Sequence, residues 1–169
     1  MPASPRLPFD PIAEARRQWE SHGWADAAPG MAMVTSVMRL QQIFLAQADV
    51  VLRPFGLTFA RYEVLMLLSF SSAHRLPLGK IGERLQVNAA SVTNAVGRLE
   101  GQGLVSRHPN PQDGRGTLAE LTAAGHQVVQ QATRDMNAEV FSHLGLERPA
   151  LTVLFGQLGQ LRHAAGDFP

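Results

Sequence analysis

"LVSRHPNPQDGRGTLAEL", residues 104–121, holds two short segments of strand composition, LVSRH and TLAEL, with Pro109 and then NPQDGRG between them. Proline presets a turn's φ, asparagine and aspartate bond back to their own backbone, and glycine opens the left-handed region, so NPQDGRG reads as the tip of a hairpin. Arg115 stands in that tip as a probe, with Asp113 two residues before it.

Two short helical patterns lie upstream. LGKIGERLQ places Leu78, Ile81 and Leu85 on one face; after the turn VN, Asn88 is an N-cap for AASVTNAVGRLEGQ, which stops at Gly103. Two helices joined by so short a turn make a helix-turn-helix, and the hairpin after it completes a winged helix.

The second of these helices has two unlike sides. Val92, Ala95, Val96 and Leu99 turn inward, whereas Ala90, Ser91, Asn94, Gly97 and Arg98 face out, with Thr93 at the edge. Small residues permit close approach to a surface, and asparagine and arginine match the hydrogen-bonding edges of bases, so Ser91, Asn94 and Arg98 are candidates for base and phosphate contacts. A weakly charged helix that caps the core is the alternative. Lys80 and Arg84, on the preceding helix, are candidates for contacts to the DNA backbone.

Further out the pattern is helical throughout. Asp10 followed by Pro11 caps IAEARRQWESH, which stops at Gly23; WADAAPG reads as a linker, and Val34, Val37, Met38, Phe44, Ala48, Val51 and Leu52 recur at helical spacing from Met31 to about Arg53. Thr58 is placed to cap FARYEVLMLLSF. Thr122 caps a helix expected to run from Ala123 to about Leu144, and in the last helix Leu151, Leu154, Phe155, Leu158 and Leu161 form a wide apolar stripe. Such a stripe needs either a partner surface or the chain's own domain to fold back on.

The 169 residues contain no cysteine, which excludes disulfides, thiol redox sensing and thiolate zinc sites, and the six histidines show no ligand spacing, so neither metal nor cofactor is expected. No nucleophile and acid-base set emerges, so the chain does not read as an enzyme. Residues 75–115 carry six cations against three acids, while residues 116–169 carry three against five; the basic excess sits over the helix-turn-helix and hairpin. No apolar run approaches the roughly 18 residues of a membrane span. The proline-rich start, MPASPRLPFDP, lacks the apolar core of a signal peptide, which suggests a short disordered lead and a cytoplasmic protein.

The ordered set LTFARYEVLMLL (57–68), VGRLEGQGLVSR (96–107) and DGRGTLAELTAAG (113–125), with its D-x-R wing closing on L-T-x-x-G, resembles the MarR family of bacterial transcription regulators over residues 31–161. The resemblance implies a mainly α fold with a small β-hairpin wing, and N- and C-terminal helices that interlock in a homodimer. Each subunit would present a winged helix to a pseudo-palindromic double-stranded DNA operator, with Asp113 bracing Arg115 in the minor groove. It also implies release from DNA by a small aromatic or anionic effector, and three residues are candidates for contacting it. An N-terminal helix bearing Trp19 and an acid at Glu63 resemble the urate-responsive subset, although Ala95 stands where that subset has a ligand-binding arginine. Arg39 could pair with a carboxylate on such a ligand. The expected organisation is an N-terminal extension (1–30), a dimerisation helix (31–57), a winged helix-turn-helix (58–121) and C-terminal dimerisation helices (122–169). A winged helix serving only protein contacts is the rival reading.

Overall fold

The computed structural model describes residues 7–111 and 116–169, which leaves Asp113, Arg115 and the first six residues outside the described chain. Two compact units divide it, Met1–Val50 and Val51–Pro169.

In the first unit, α1 (Pro11–Ser21) starts where the sequence places it. Asp10 Oδ1 accepts the N–H of Ile12 at 2.9 Å, and Pro11 sits in the first turn, where a helix needs no donor. The second helix, α2 (Ala28–Leu52), begins at Ala28 rather than at Met31. The expected linker is partly helical because the Trp24 carbonyl accepts the N–H groups of Ala27 and Ala28, each at 3.1 Å, and that of Ala27 accepts Met31 at 3.0 Å. Pro29 falls in the opening turn and breaks nothing there. The Trp19 and Trp24 rings meet edge to face at 5.1 Å and close the bend at Gly23, whose φ is 84°.

The second unit takes the end of α2 through a 3-10 turn, Arg53–Phe55, to Gly56 at φ 66°. There follow α3 (Phe59–Phe70), β1 (Arg75–Pro77), α4 (Leu78–Leu85), α5 (Ala89–Gly101), β2 (Val105–Pro109), β3 (Thr117–Leu121), α6 (Ala123–Met136) and α7 (Arg148–Ala164). The hairpin of β2 and β3 was expected; β1 was not. It adds an antiparallel edge, giving the order β1-β3-β2, with Leu76 and Arg107 both opposite Ala119. Three residues ending in proline carry no strand signature, and Pro77 is tolerated because it lies on an edge strand.

The central element is α3, which packs on α4, α5, α6 and the sheet. Its Tyr62, Val64, Leu65 and Leu68 are buried with Ile81 of α4, with Val92, Val96 and Leu99 of α5, and with Val129, Ala132 and Met136 of α6. Each large aliphatic among them contributes about 1.5–3 kcal/mol relative to exposure. The Tyr62 hydroxyl meets Thr133 Oγ1 at 3.1 Å, which supplies the one polar group of that helix face with a partner. Thr58 occupies the N-cap position of α3 in extended conformation, but its hydroxyl does not cap the backbone; it accepts from Arg61 Nε at 3.3 Å.

Thr122 does cap α6. Its Oγ1 accepts the Gly125 N–H at 3.0 Å and donates to the Gly103 carbonyl at 2.8 Å, while its own N–H reaches the Leu104 carbonyl at 3.1 Å. Gly125 lies so close to Leu104 that a Cβ there would run into the Leu104 carbonyl oxygen. These contacts explain the L-T-x-x-G sequence physically. The helix itself stops short of the expected Leu144: α-helical bonding ends at Met136, and a π-helical turn, Asn137–Phe141, follows, in which the Ser142 N–H reaches back to Asn137 at 3.1 Å.

No residue of α7 is fully buried, and Leu154, Phe155 and Leu161 are 38%, 71% and 47% exposed. Beyond it the chain turns back: Arg162 Nε donates to Asp167 Oδ2 at 2.6 Å, the Arg162 guanidinium lies over the Phe168 ring at 5.2 Å, and Gln86 Nε2 donates to the Asp167 carbonyl at 3.1 Å. Among the described residues no single helix is long and apolar enough to cross a membrane.

Candidate nucleic-acid interface

The turn between α4 and α5 is set by three residues. Gln86 takes a left-handed conformation, φ 54°, the Val87 N–H bonds to the Gly82 carbonyl at 3.1 Å, and Asn88 Oδ1 accepts the Ser91 N–H at 2.8 Å. Gly82 is needed where α4 passes α5, because a Cβ would stand 3.1 Å from the Val87 carbonyl oxygen and 3.4 Å from Val92 Cγ2. Val92, Val96 and Leu99 are buried, which sets the face that α5 turns outward; Ala95, expected to turn inward with them, is only half-buried.

On that face Ser91, Asn94 and Arg98 are exposed and follow one another at helical spacing. They line one cleft of about 470 Å³ together with Thr58, Ala60 and Arg61 of the α3 start, floored in part by Ala95. Arg98 and Arg61 form no ion pair with any described carboxylate. The cleft is therefore cationic, polar at its walls and small-residue at its base. Its chemistry suits an extended anion bearing hydrogen-bonding edges.

Other expected contacts fall elsewhere. Thr93 is exposed, but its hydroxyl donates to the Ala89 carbonyl at 2.9 Å, and it lines a separate groove between α4 and α5 with Leu78, Gly82 and Val87. Lys80 is ion-paired to Glu83 at 2.7 Å and borders a groove at the base of the hairpin with Asn110 and Thr117. Arg84 is exposed in the last turn of α4. Asn110 donates its N–H to the Gly116 carbonyl at 2.9 Å, next to the paired ends of β2 and β3; Asp113 and Arg115 lie outside the described residues. Arg61 is the residue that sequence reading missed. It is the lone cation of α3, and only the convergence of α3 and α5 gives it meaning.

Of the residues expected to contact an effector, Trp19 packs on Trp24, and Arg39 donates to Gln42 Oε1 at 3.1 Å. Glu63 is half-buried, and desolvation raises its carboxyl above the usual range. A different cleft, about 470 Å³, opens between α3 and α6; Met66, Phe70 and Val129 give it apolar walls and His126 and Arg134 polar ones, and Glu63 does not line it.

Comparison with known proteins agrees with this geometry. The family model described as MarR family matches residues 55–116. The multiple antibiotic resistance protein MarR of Escherichia coli (strain K12) is 30% identical over 103 residues, covering 59% of this chain and 70% of that protein. Sco5413, a MarR family transcriptional regulator from Streptomyces coelicolor, is 51% identical in a structural match covering 83% of this chain and 97% of that one, with a TM-score of 0.76. Sco3205 from the same organism, solved in complex with DNA, is 25% identical over 81% of this chain and 87% of its own, with a TM-score of 0.68. The chain spans about half the length of other curated relatives it matches, 53% and 48%.

Proposed function

This chain belongs to the MarR family, and from that premise we propose that it is a ligand-responsive transcriptional regulator, a repressor that binds a pseudo-palindromic operator as a homodimer. The observation that carries the reading is the exposed row Ser91, Asn94 and Arg98 on the outer face of α5, held rigid from behind and flanked by a hairpin. An α-helix with such a face fits the major groove, where asparagine reads adenine and arginine reads guanine or phosphate. Thr93 and Lys80, which line other grooves, and Arg84, exposed in the last turn of α4, are the secondary backbone contacts in this reading. Arg115 and Asp113, which lie outside the described residues, complete the reading by sequence position alone: Arg115 as the contact to the adjacent minor groove, where shape and negative potential are the main readout, and Asp113 as its brace.

The apolar residues that α2 and α7 leave exposed support a second copy as partner: Val34, Val37, Met38 and Phe44 on the first, Leu154, Phe155 and Leu161 on the second. Two copies so joined place their α5 helices in successive major grooves when about 34 Å separates them. A cytoplasmic location follows from this role. The effector is a small aromatic or anionic molecule; the α3–α6 cleft, with its apolar walls and Arg134, has the chemistry to hold one. Trp19, Arg39 and Glu63, none of which lines that cleft, are separate candidates for effector contacts.

A mobility-shift titration with DNA from upstream of the protein's own gene, repeated at rising salt, tests the reading. Saturable binding that falls steeply with salt supports the regulator, because each neutralised phosphate releases counterions. Absent or sequence-indifferent binding favours the rival, a winged helix used for protein contacts alone.

A further inference from the structure

Resting on the DNA-binding reading, we infer that Arg61 is a DNA-contacting residue that grips a backbone phosphate beside the recognition helix. The α5 row does not stand alone. Its cleft has a second wall, contributed by the first turn of α3, and on that wall the cation is Arg61. Thr58 Oγ1 accepts from Arg61 Nε at 3.3 Å, which steadies the guanidinium stem and leaves its two terminal nitrogens without a described partner. Arg98 faces the same cleft from α5 and is likewise unpaired by any described carboxylate.

Two neighbouring guanidinium groups with no acid between them repel each other until an anion bridges them. The floor between them is Ala60 and Ala95, which are too small to fill the space and carry nothing that repels a phosphate. Arginine matches a phosphate with two parallel N–H donors. A helix seated in the major groove has sugar-phosphate backbone along both flanks, and the α3 start is the flank on which this cleft opens. Arg61 therefore fixes the depth and register of α5 rather than reading a base.

The test uses a duplex enriched from a random-sequence pool by the unsubstituted full chain, titrated at several salt concentrations. Arg61→Ala should melt at an unchanged temperature, bind about ten-fold more weakly at about 0.1 M salt, and lower the slope of log affinity against log salt by about 1, with sequence preference retained. Arg61→Lys should restore the slope. Arg16→Ala, which removes an equal charge from α1, should change neither affinity nor slope. Full affinity and an unchanged slope in Arg61→Ala would overturn the assignment while the DNA-binding reading stands, as would an equal loss in Arg16→Ala. Failure of the unsubstituted chain to enrich any duplex overturns the DNA-binding reading and this inference together.

Discussion

Arg107 of β2 donates through Nε to Oε2 of Glu100, 2.7 Å away, and so ties the last turn of the recognition helix to the first strand of the hairpin. The two elements that would touch DNA are thus joined to each other directly as well as through the core.

The hydrogen bond from Arg107 holds the Glu100 carboxyl below its usual value of 4.5. A group whose pKa is depressed by folding stabilises the native state above its unfolded pKa and loses that contribution as pH falls through the folded one. Glu100→Gln should therefore be slightly less stable than the parent at neutral pH, and the gap should close in acid. Urea unfolding of both proteins from neutral pH to below 4 measures it; a gap that stays constant with pH would show that the pair contributes nothing through its charge.

Gly125→Ala should destabilise the protein by about 1–3 kcal/mol. The added methyl meets a backbone carbonyl, which unlike a side chain cannot swing aside. Thermal unfolding at fixed concentration reads the effect, and an unchanged melting temperature would mean that α6 and Leu104 separate freely.

Asn88→Ala removes the acceptor for the Ser91 N–H and should cost about 1 kcal/mol in stability, while Asn88→Asp keeps most of it. Operator affinity should fall with the alanine variant as well, because Ser91 lies in the frayed turn. Denaturant unfolding and a mobility shift on the same samples give both numbers.

Phe155→Glu should convert the proposed homodimer to monomer in sedimentation, with the helical content of the winged helix retained. Phe155 is 71% exposed in the single chain, so the charge costs that chain little and falls entirely on whatever covers the ring. A dimer that survives the substitution would move the interface elsewhere.

Much of this architecture was readable because caps are local chemistry. Asp10, Asn88 and Thr122 announce their helices by hydrogen bonds spanning two or three residues, and all three form. Thr58 looked the same in sequence yet serves Arg61, because a nearby guanidinium competes for the hydroxyl. β1 was invisible because its evidence lies in β3, more than forty residues on, and the π turn after Met136 has no residue signature of its own. The row Ser91, Asn94 and Arg98 was legible from helical spacing; the cleft that joins it to Arg61 was not, since it exists only where two helices meet.

Thr122 carries a consequence for how the molecule opens. One hydroxyl is bonded at once to the Gly103 carbonyl, in the turn that follows α5, and to the Gly125 amide in the first turn of α6, and its backbone N–H is bonded to the Leu104 carbonyl. The base of the hairpin and the first turn of α6 must then come apart in a single event, so the amides of Thr122 and Gly125 should exchange with solvent at one common rate. Thr122→Val keeps the shape and removes both hydroxyl bonds, which splits that event in two and leaves the hairpin base free to breathe while α6 stays closed.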